Sequence, residues 1–367
     1  MNKRFGIIGA GNGGHAFAAY LGMNDHEVIW YDIDSSVTEK LNEQGGVYVS
    51  GTLNGFAPIK HATTDIGYTL EHSDIVLVVA PANAHRAIAR NCAPHLKDGQ
   101  LIILNPGSTF GALEFQHELN QQGASADITL AETQSLLFAC RLEQTGSVAI
   151  YGMKENLPIA AFPADKTESV YEIVSPVFPQ WVKGQNVLEI SLGNINAVLH
   201  PTPSLFNLRS IDDRIPFLHY HEGISENIGE LIEKLDEERI AIGKAYGLNL
   251  TSTKQALKDF YGVKGDTIQQ LTRDNEAYNS INGADTIANR YFTEDIPMGL
   301  VPMSDLARNA GVSTPIMDAV IQLVSTIIGE DFTSTGRTLK NVGVDSLSPH
   351  QVRTFVDHKH TPAISQG

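Results

Sequence analysis

Cysteine is scarce in this 367-residue chain. Cys92 and Cys140 are its only two, too few for a disulfide framework or a four-ligand cysteine zinc site, and a reducing compartment is expected. Basic charge is also short. The 26 Lys and Arg against 42 Asp and Glu leave a formal charge of −16, and no basic run is present to neutralise phosphates, which excludes nucleic acid as the expected partner. Long apolar runs are missing as well. The stretch IVLVVAPANA around Val78 falls well short of the roughly 20 residues that cross a bilayer, so no membrane partner is expected. The opening MNKRFGIIGAG enters an apolar strand and a glycine turn without the apolar core of a signal peptide, and a cytoplasmic location is the expectation. What remains is 42% hydrophobic and 19% charged, ordinary globular composition at a length that suits two domains.

The first half carries a nucleotide-binding pattern. Arg4 to Ile8 reads as a short strand, followed by GAGNGGHAFAAYLG with glycines at 9, 11 and 14 leading into a helix. In that context Gly9 permits the tight turn, Gly11 lets the backbone approach a pyrophosphate, and Gly14 lets helix and strand pack closely. Ala10, Asn12 and Gly13 complete the cradle. A second strand, HEVIWYD, ends at Asp32, where a carboxylate can bind the adenosine ribose and would repel a 2′-phosphate. NAD is therefore the expected cofactor, NADH favoured over NADPH. GVYVSGTLNGFAPIKHATTD follows as a glycine-punctuated hairpin pattern, and then strands and helices alternate through DIVLVVA, PANAHRAIARNCAPHL, GQLIILNPG and STFGALEFQHELNQQG. The fold class is α/β, a doubly wound parallel sheet of the Rossmann kind. Ala80, Pro81, Asn105 and Pro106, at strand ends, are expected to line the nicotinamide side. ITLAETQSLLFACR reads as one more strand. Its polar group Glu132, Thr133 and Gln134 is either a ligand rim or ordinary loop polarity.

Alternation stops near Gly184, which divides the chain into residues 1–184 and a helical second domain, 185–367. EGISENIGELIEKLDEERIAIGKAYG predicts a long helix with Ile224, Ile228, Leu231, Leu235, Ile242 and Ala245 on its apolar stripe and Gly247 just past its end. Before it, a helix from Val187 to His200 is expected to end at Pro201, with Asn196 and His200 four apart on one face. Local chemistry leaves His200 as either a general acid–base or a cap on the helix carbonyls. In ANRYFTEDIPMGLVP, Arg290, Glu294 and Asp295 form either a carboxylate-binding fork with a partner for histidine or a surface ion-pair cluster. Spacing alone does not bring them to His200.

The ordered motifs GAGNGG, ETQSLLFACR, NAVLHP with its following FN, FLHYHEGISENIGELIEKLDEERIAIGKAYG, RYFTEDIPMGLVP and GRTLKNVGVDSL span almost the whole chain. With them the sequence resembles the octopine/nopaline (opine) dehydrogenase family. The resemblance implies a Rossmann domain followed by an all-helical C-terminal domain. It implies reduction, with NADH or NADPH, of the imine formed between an amino acid and a 2-oxo acid, commonly pyruvate. It puts His200 in the catalytic position, Asp295 as its carboxylate partner and Arg290 as a carboxylate binder, with Gln134, Asn196 and Tyr220 as candidates for substrate positioning. The expected partners are thus amino acid and 2-oxo acid substrates, with a homodimer as the candidate assembly. The chemistry needs no metal, although His200, His219 and His221 could make a three-histidine site. Two other functions stay open. One is an amine-independent oxo-acid reductase of the ketopantoate reductase or glycerol-3-phosphate dehydrogenase kind, whose members usually use a lysine that Val187 to His200 lacks. The other is a non-catalytic NAD-binding regulator.

Overall fold

The computed structural model describes residues 3–358. The chain forms two compact units, one of residues up to Gly107 together with Gly111–Val187, the other of Ser108–Phe110 together with the chain from Leu188 onward. The sequence places the boundary near Gly184; the units part between Val187 and Leu188, and a three-residue piece of the first half joins the second unit.

The first unit contains strands β1 Arg4–Ile8, β2 Glu27–Tyr31, β3 Gly46–Gly51, β4 Gly55–Pro58, β5 His61–Thr63, β6 Ile75–Val78, β7 Leu101–Leu104, β8 Thr129–Thr133, β9 Phe138–Gln144, β10 Ser147–Met153, β11 Leu157–Phe162 and β12 Trp181–Lys183. Eight of them form one sheet in the order β12-β11-β8-β7-β6-β1-β2-β5. Neighbours run parallel except β8 and β11. The Ile-Val-Leu-Val of β6 and Leu-Ile-Ile-Leu of β7 are buried at every position, as strands covered on both faces must be. Because the chain leaves β1 toward β2 and β5 and then crosses back to β6, the strand order reverses between β1 and β6. That reversal is where such sheets bind nucleotides.

The hairpin of β3 and β4 forms as its glycines indicate, but in a separate four-stranded sheet, β4-β3-β10-β9. The single strand expected for ITLAETQSLLFACR is two strands in two sheets, β8 and β9. The break lies in a turn that carries no Gly or Pro to mark it, where Thr133 Oγ1 donates to the carbonyl of Ser135 at 3.0 Å and Gln134 N to that of Pro158 at 3.1 Å.

The described residues of the second unit form helices and no strand, apart from an isolated bridge between Leu218 and Asn282. Its central helix, Glu226–Ala245, is capped by Ser225, whose side chain accepts from Ile228 N, and is followed by Gly247 at φ +71°. The buried face of this helix is Gly229, Ile232, Leu235, Asp236, Arg239, Ile242 and Gly243. This corrects the expected stripe. Ile228 and Leu231 are half-buried and Ala245 is exposed, because the face that packs uses glycine where Leu250 approaches Gly243 and buries a charge pair. The helix from Val187 to His200 is also corrected. It is two helices, Val187–Leu192 and Asn196–Leu199, and Pro201 opens the next helix, Pro201–Phe206, at a position that needs no backbone N–H. Among the described residues no helix is long and apolar enough to cross a membrane.

Candidate functional site

In the first unit the glycine turn after β1 has the backbone geometry that the sequence describes. Gly9 adopts φ +107° and donates its N–H to Tyr31 O at 2.9 Å; a Cβ there would strike the carbonyl of Val79. A side chain on Gly14 would collide with Gly9 O, so strand and helix are closer than any other residue allows. At Gly11 a Cβ would meet nothing within 4 Å. Gly11 is also the N-cap of the helix Asn12–Met23, which has no side-chain cap, so its first N–H groups and its dipole are available to an anion.

The cradle is braced from behind. His15 donates Nδ1–H to Gly11 O at 3.0 Å and accepts Gly146 N at Nε2, also at 3.0 Å, which fixes one neutral tautomer. Burial lowers its pKa below the ordinary histidine value. Asn12 Oδ1 accepts Leu142 N at 2.8 Å, and Gly13 lies against Leu136 and Val79. Asp32 follows β2; its Oδ2 accepts Ala10 N at 2.6 Å and its Oδ1 accepts Asp34 N at 3.0 Å. Asp34 caps the next helix, so two carboxylates stand just past the end of β2.

Ala80 and Pro81 follow the exit of β6, and Asn105 and Pro106 that of β7. Asn105 is fully buried, and both its amide oxygen and amide nitrogen lack a hydrogen-bond partner. An orphaned amide is costly unless a ligand completes it, and its place at the carboxyl edge of the sheet fits a nicotinamide dinucleotide. Gln134 sits half-buried in the turn between β8 and β9. Its neighbour Glu132 is wholly buried, and Oε2 accepts Ala112 N at 2.7 Å at the start of the helix Gly111–Gln121. Glu132, which by sequence suits either a ligand rim or a loop, is pinned inside the unit.

In the second unit, the residues around His200 meet. Its Nδ1 is 2.8 Å from Asp295 Oδ2, and its Nε2 is 2.9 Å from the hydroxyl of Tyr220. An ionised carboxylate only accepts, so the neutral ring carries its proton on Nδ1 and Tyr220 donates to Nε2. Tyr291 lies over His200 with ring centroids 4.4 Å apart, and Tyr220 stacks on Tyr278 at 3.8 Å and 12°. Asp295 immediately precedes the π-turn Ile296–Leu300, which contains Pro297 and Gly299.

The other candidates surround this centre unevenly. Arg290 Nε donates to Glu294 Oε2 at 2.6 Å, and its side chain is 68% exposed, leaving much of the guanidinium fork open. No side-chain hydrogen bond joins it to His200 or Asp295. Asn196 accepts His200 N through its backbone carbonyl at 2.9 Å and shares no side-chain hydrogen bond with it. His219 is fully buried beside His200; Nε2 lies 3.3 Å from Leu199 O, and Nδ1 has no partner. Burial, reinforced by His200, pushes its pKa down to about 3, so it is neutral at physiological pH. Among the described residues no group of three or more His, Cys, Asp or Glu is arranged to hold a metal. Tyr278 and Tyr291 escaped the sequence reading, although Tyr291 adjoins Arg290 in the motif that carried the resemblance.

Residues 183–328 match the family model for the NAD/NADP octopine/nopaline dehydrogenase alpha-helical domain, and residues 4–121 match that for the NAD-dependent glycerol-3-phosphate dehydrogenase N-terminus. An octopine dehydrogenase structure with NADH and L-arginine shares the fold at a TM-score of 0.77 and 21% identity, covering 98% of this chain and all of that one. Vitopine synthase of Allorhizobium ampelinum is 26% identical over 95% of this chain and 98% of its own length. The opine dehydrogenase of Arthrobacter sp. (strain 1C) is 42% identical over 97% of this chain and 99% of its own. Identity of that extent, running through both units, makes this chain a member of the opine dehydrogenase family.

Proposed function

We propose that the protein catalyses the NADH-dependent reductive condensation of an amino acid with a 2-oxo acid, pyruvate in the first instance, through an imine, and the reverse oxidation. The observation that carries this reading is the hydrogen-bonded line Asp295–His200–Tyr220. Amine addition to an oxo carbon gives a carbinolamine whose hydroxyl must take a proton before it leaves as water. His200 holds that proton as imidazolium, and Asp295, bonded at Nδ1, fixes the ring and stabilises the charge. In reverse, the neutral imidazole takes the proton back from water as it adds to the imine.

The open fork of Arg290 suits a substrate carboxylate, the one group common to both substrates. Gln134 and Asn196 are proposed to add polar contacts that orient the substrates. The cofactor would be held by the backbone of Gly9 through Gly14, by Asp32, by Ala80 and Pro81, and by Asn105 and Pro106. Bound there, it supplies hydride for the imine carbon. The paired carboxylates Asp32 and Asp34 favour NADH over NADPH. A reducing cytoplasm suits the two free thiols.

The test is NADH oxidation, followed by absorbance, with pyruvate and a panel of amino acids. The expected result is oxidation that requires both substrates and saturates in each. Oxidation that proceeds without the amine would replace this reading with that of an oxo-acid reductase.

A further inference from the structure

Resting on the proposed function, a count of the bonds at His200 leads one step further. An imidazole has two nitrogens, and both are engaged: Nδ1 with Asp295 and Nε2 with Tyr220. Neither ring nitrogen is left over to face a substrate. We propose that Tyr220 relays the proton, its hydroxyl being the group that passes a proton to the leaving carbinolamine hydroxyl and receives one from His200 Nε2 in the same event.

The two protonation states of His200 make the relay directional. With His200 neutral, Nδ1–H points to Asp295 and the Tyr220 O–H donates to Nε2. With His200 as imidazolium, Nε2–H donates to the Tyr220 oxygen, and the phenolic hydrogen must turn to another acceptor. In the relay the substrate oxygen is that acceptor, in competition with the Tyr278 hydroxyl that also hydrogen-bonds Tyr220. The step balances: the carbon–oxygen bond of the carbinolamine breaks, the nitrogen lone pair forms the C=N bond, and the departing oxygen takes the Tyr220 hydrogen and leaves as water. Nε2–H replaces that hydrogen on Tyr220, so His200 ends neutral and an iminium remains.

The surroundings keep Tyr220 a neutral phenol that passes protons and does not lose them. It is 4% exposed and stacked on Tyr278, and burial drives its acidity well away from the physiological range. His219 and Tyr291 hold the other faces of the His200 ring, with centroids 5.9 and 4.4 Å away, so the imidazole cannot swing Nε2 toward a different partner without disturbing both.

Two measurements test the relay. NMR of the free protein labelled with nitrogen-15 at histidine reads the tautomer of neutral His200 directly, without turnover; Nδ1–H is expected, and an Nε2–H tautomer would overturn the proposal. The second is Tyr220→Phe, which keeps the stacked ring and removes only the hydroxyl. Its kcat is expected to fall about 100-fold or more with NADH affinity unchanged, the size of a lost acid–base contribution. The dependence of kcat on the deuterium fraction of the solvent should change from curved, two protons in flight, to linear. A Tyr220→Phe rate within about threefold of wild type, or a slowed variant that keeps the curvature, sinks the relay. If the wild type shows no amine-dependent turnover with any substrate pair, the proposed function fails, while the tautomer still decides the relay.

Discussion

His200 works through what is attached to it, so single side chains should separate chemistry from binding. His200→Ala removes the proposed proton carrier and leaves the first unit untouched. Its kcat is expected to drop by on the order of 10²–10⁴, with NADH affinity, read by fluorescence titration, unchanged. A near-normal rate would exclude His200 from the chemistry. His219 offers a stability test at the same scale. Its pKa is about 3 when folded and about 6.5 when unfolded, so below the unfolded value the unfolded chain binds the extra proton. The stability that neutral His219 contributes is therefore complete above about pH 6.5 and lost as pH falls from there toward 3, at up to about 1.4 kcal/mol per pH unit. Urea unfolding at pH 7.5 and 5.5 should show this loss, and His219→Gln should reduce it. The sequence exposes His200 through its proline, but Asp295 lies 95 residues onward, and no local pattern encodes a pairing at that range. Tyr220 stood in the sequence as a substrate binder; only the 2.9 Å contact with Nε2 suggests a different duty.

Helical period predicts the central helix Glu226–Ala245 well and its buried face less well, because a hydrophobic stripe does not anticipate buried charge. Arg239 is entirely buried. It donates to Asp236 Oδ1 at 2.8 Å, to Leu192 O at 2.7 Å and to Thr251 O at 2.7 Å, while Asp236 also accepts the Thr253 N–H at 2.8 Å and its hydroxyl at 2.6 Å. One ion pair thus fastens the central helix to the end of Val187–Leu192, just ahead of His200, and to the start of the helix Thr253–Tyr261. Asp236→Ala leaves a guanidinium buried without its counter-charge, and a loss of about 3–5 kcal/mol is expected in denaturant unfolding. Replacing both partners with apolar residues of similar volume should cost less than that single change. A double variant no more stable than Asp236→Ala would mean that Arg239 is held by its carbonyls alone.

Across the whole molecule, what could be read in advance follows from how local each signal is. The large parallel sheet announces itself, since fully buried strands are continuous apolar runs and the glycine turn has few alternatives. The smaller sheet does not, because β3 pairs with β10 almost a hundred residues later in the chain, and their alternating patterns suit many partners. Cofactor preference is the whole-chain property most open to measurement, and the cradle predicts its sign. A ligand that binds only the folded chain stabilises it by about 2.7 kcal/mol at a hundred times its Kd. NADH should therefore raise the melting temperature at concentrations where NADPH barely moves it, because Asp32 and Asp34 oppose a 2′-phosphate. Asp32→Asn keeps one oxygen to accept Ala10 N but removes the charge and the second oxygen that accepts Asp34 N, so this substitution should narrow the gap between the two cofactors and lower the unliganded melting temperature slightly. If the wild-type protein is stabilised equally by both cofactors, the carboxylates do not select, and the preference has to come from elsewhere in the cradle.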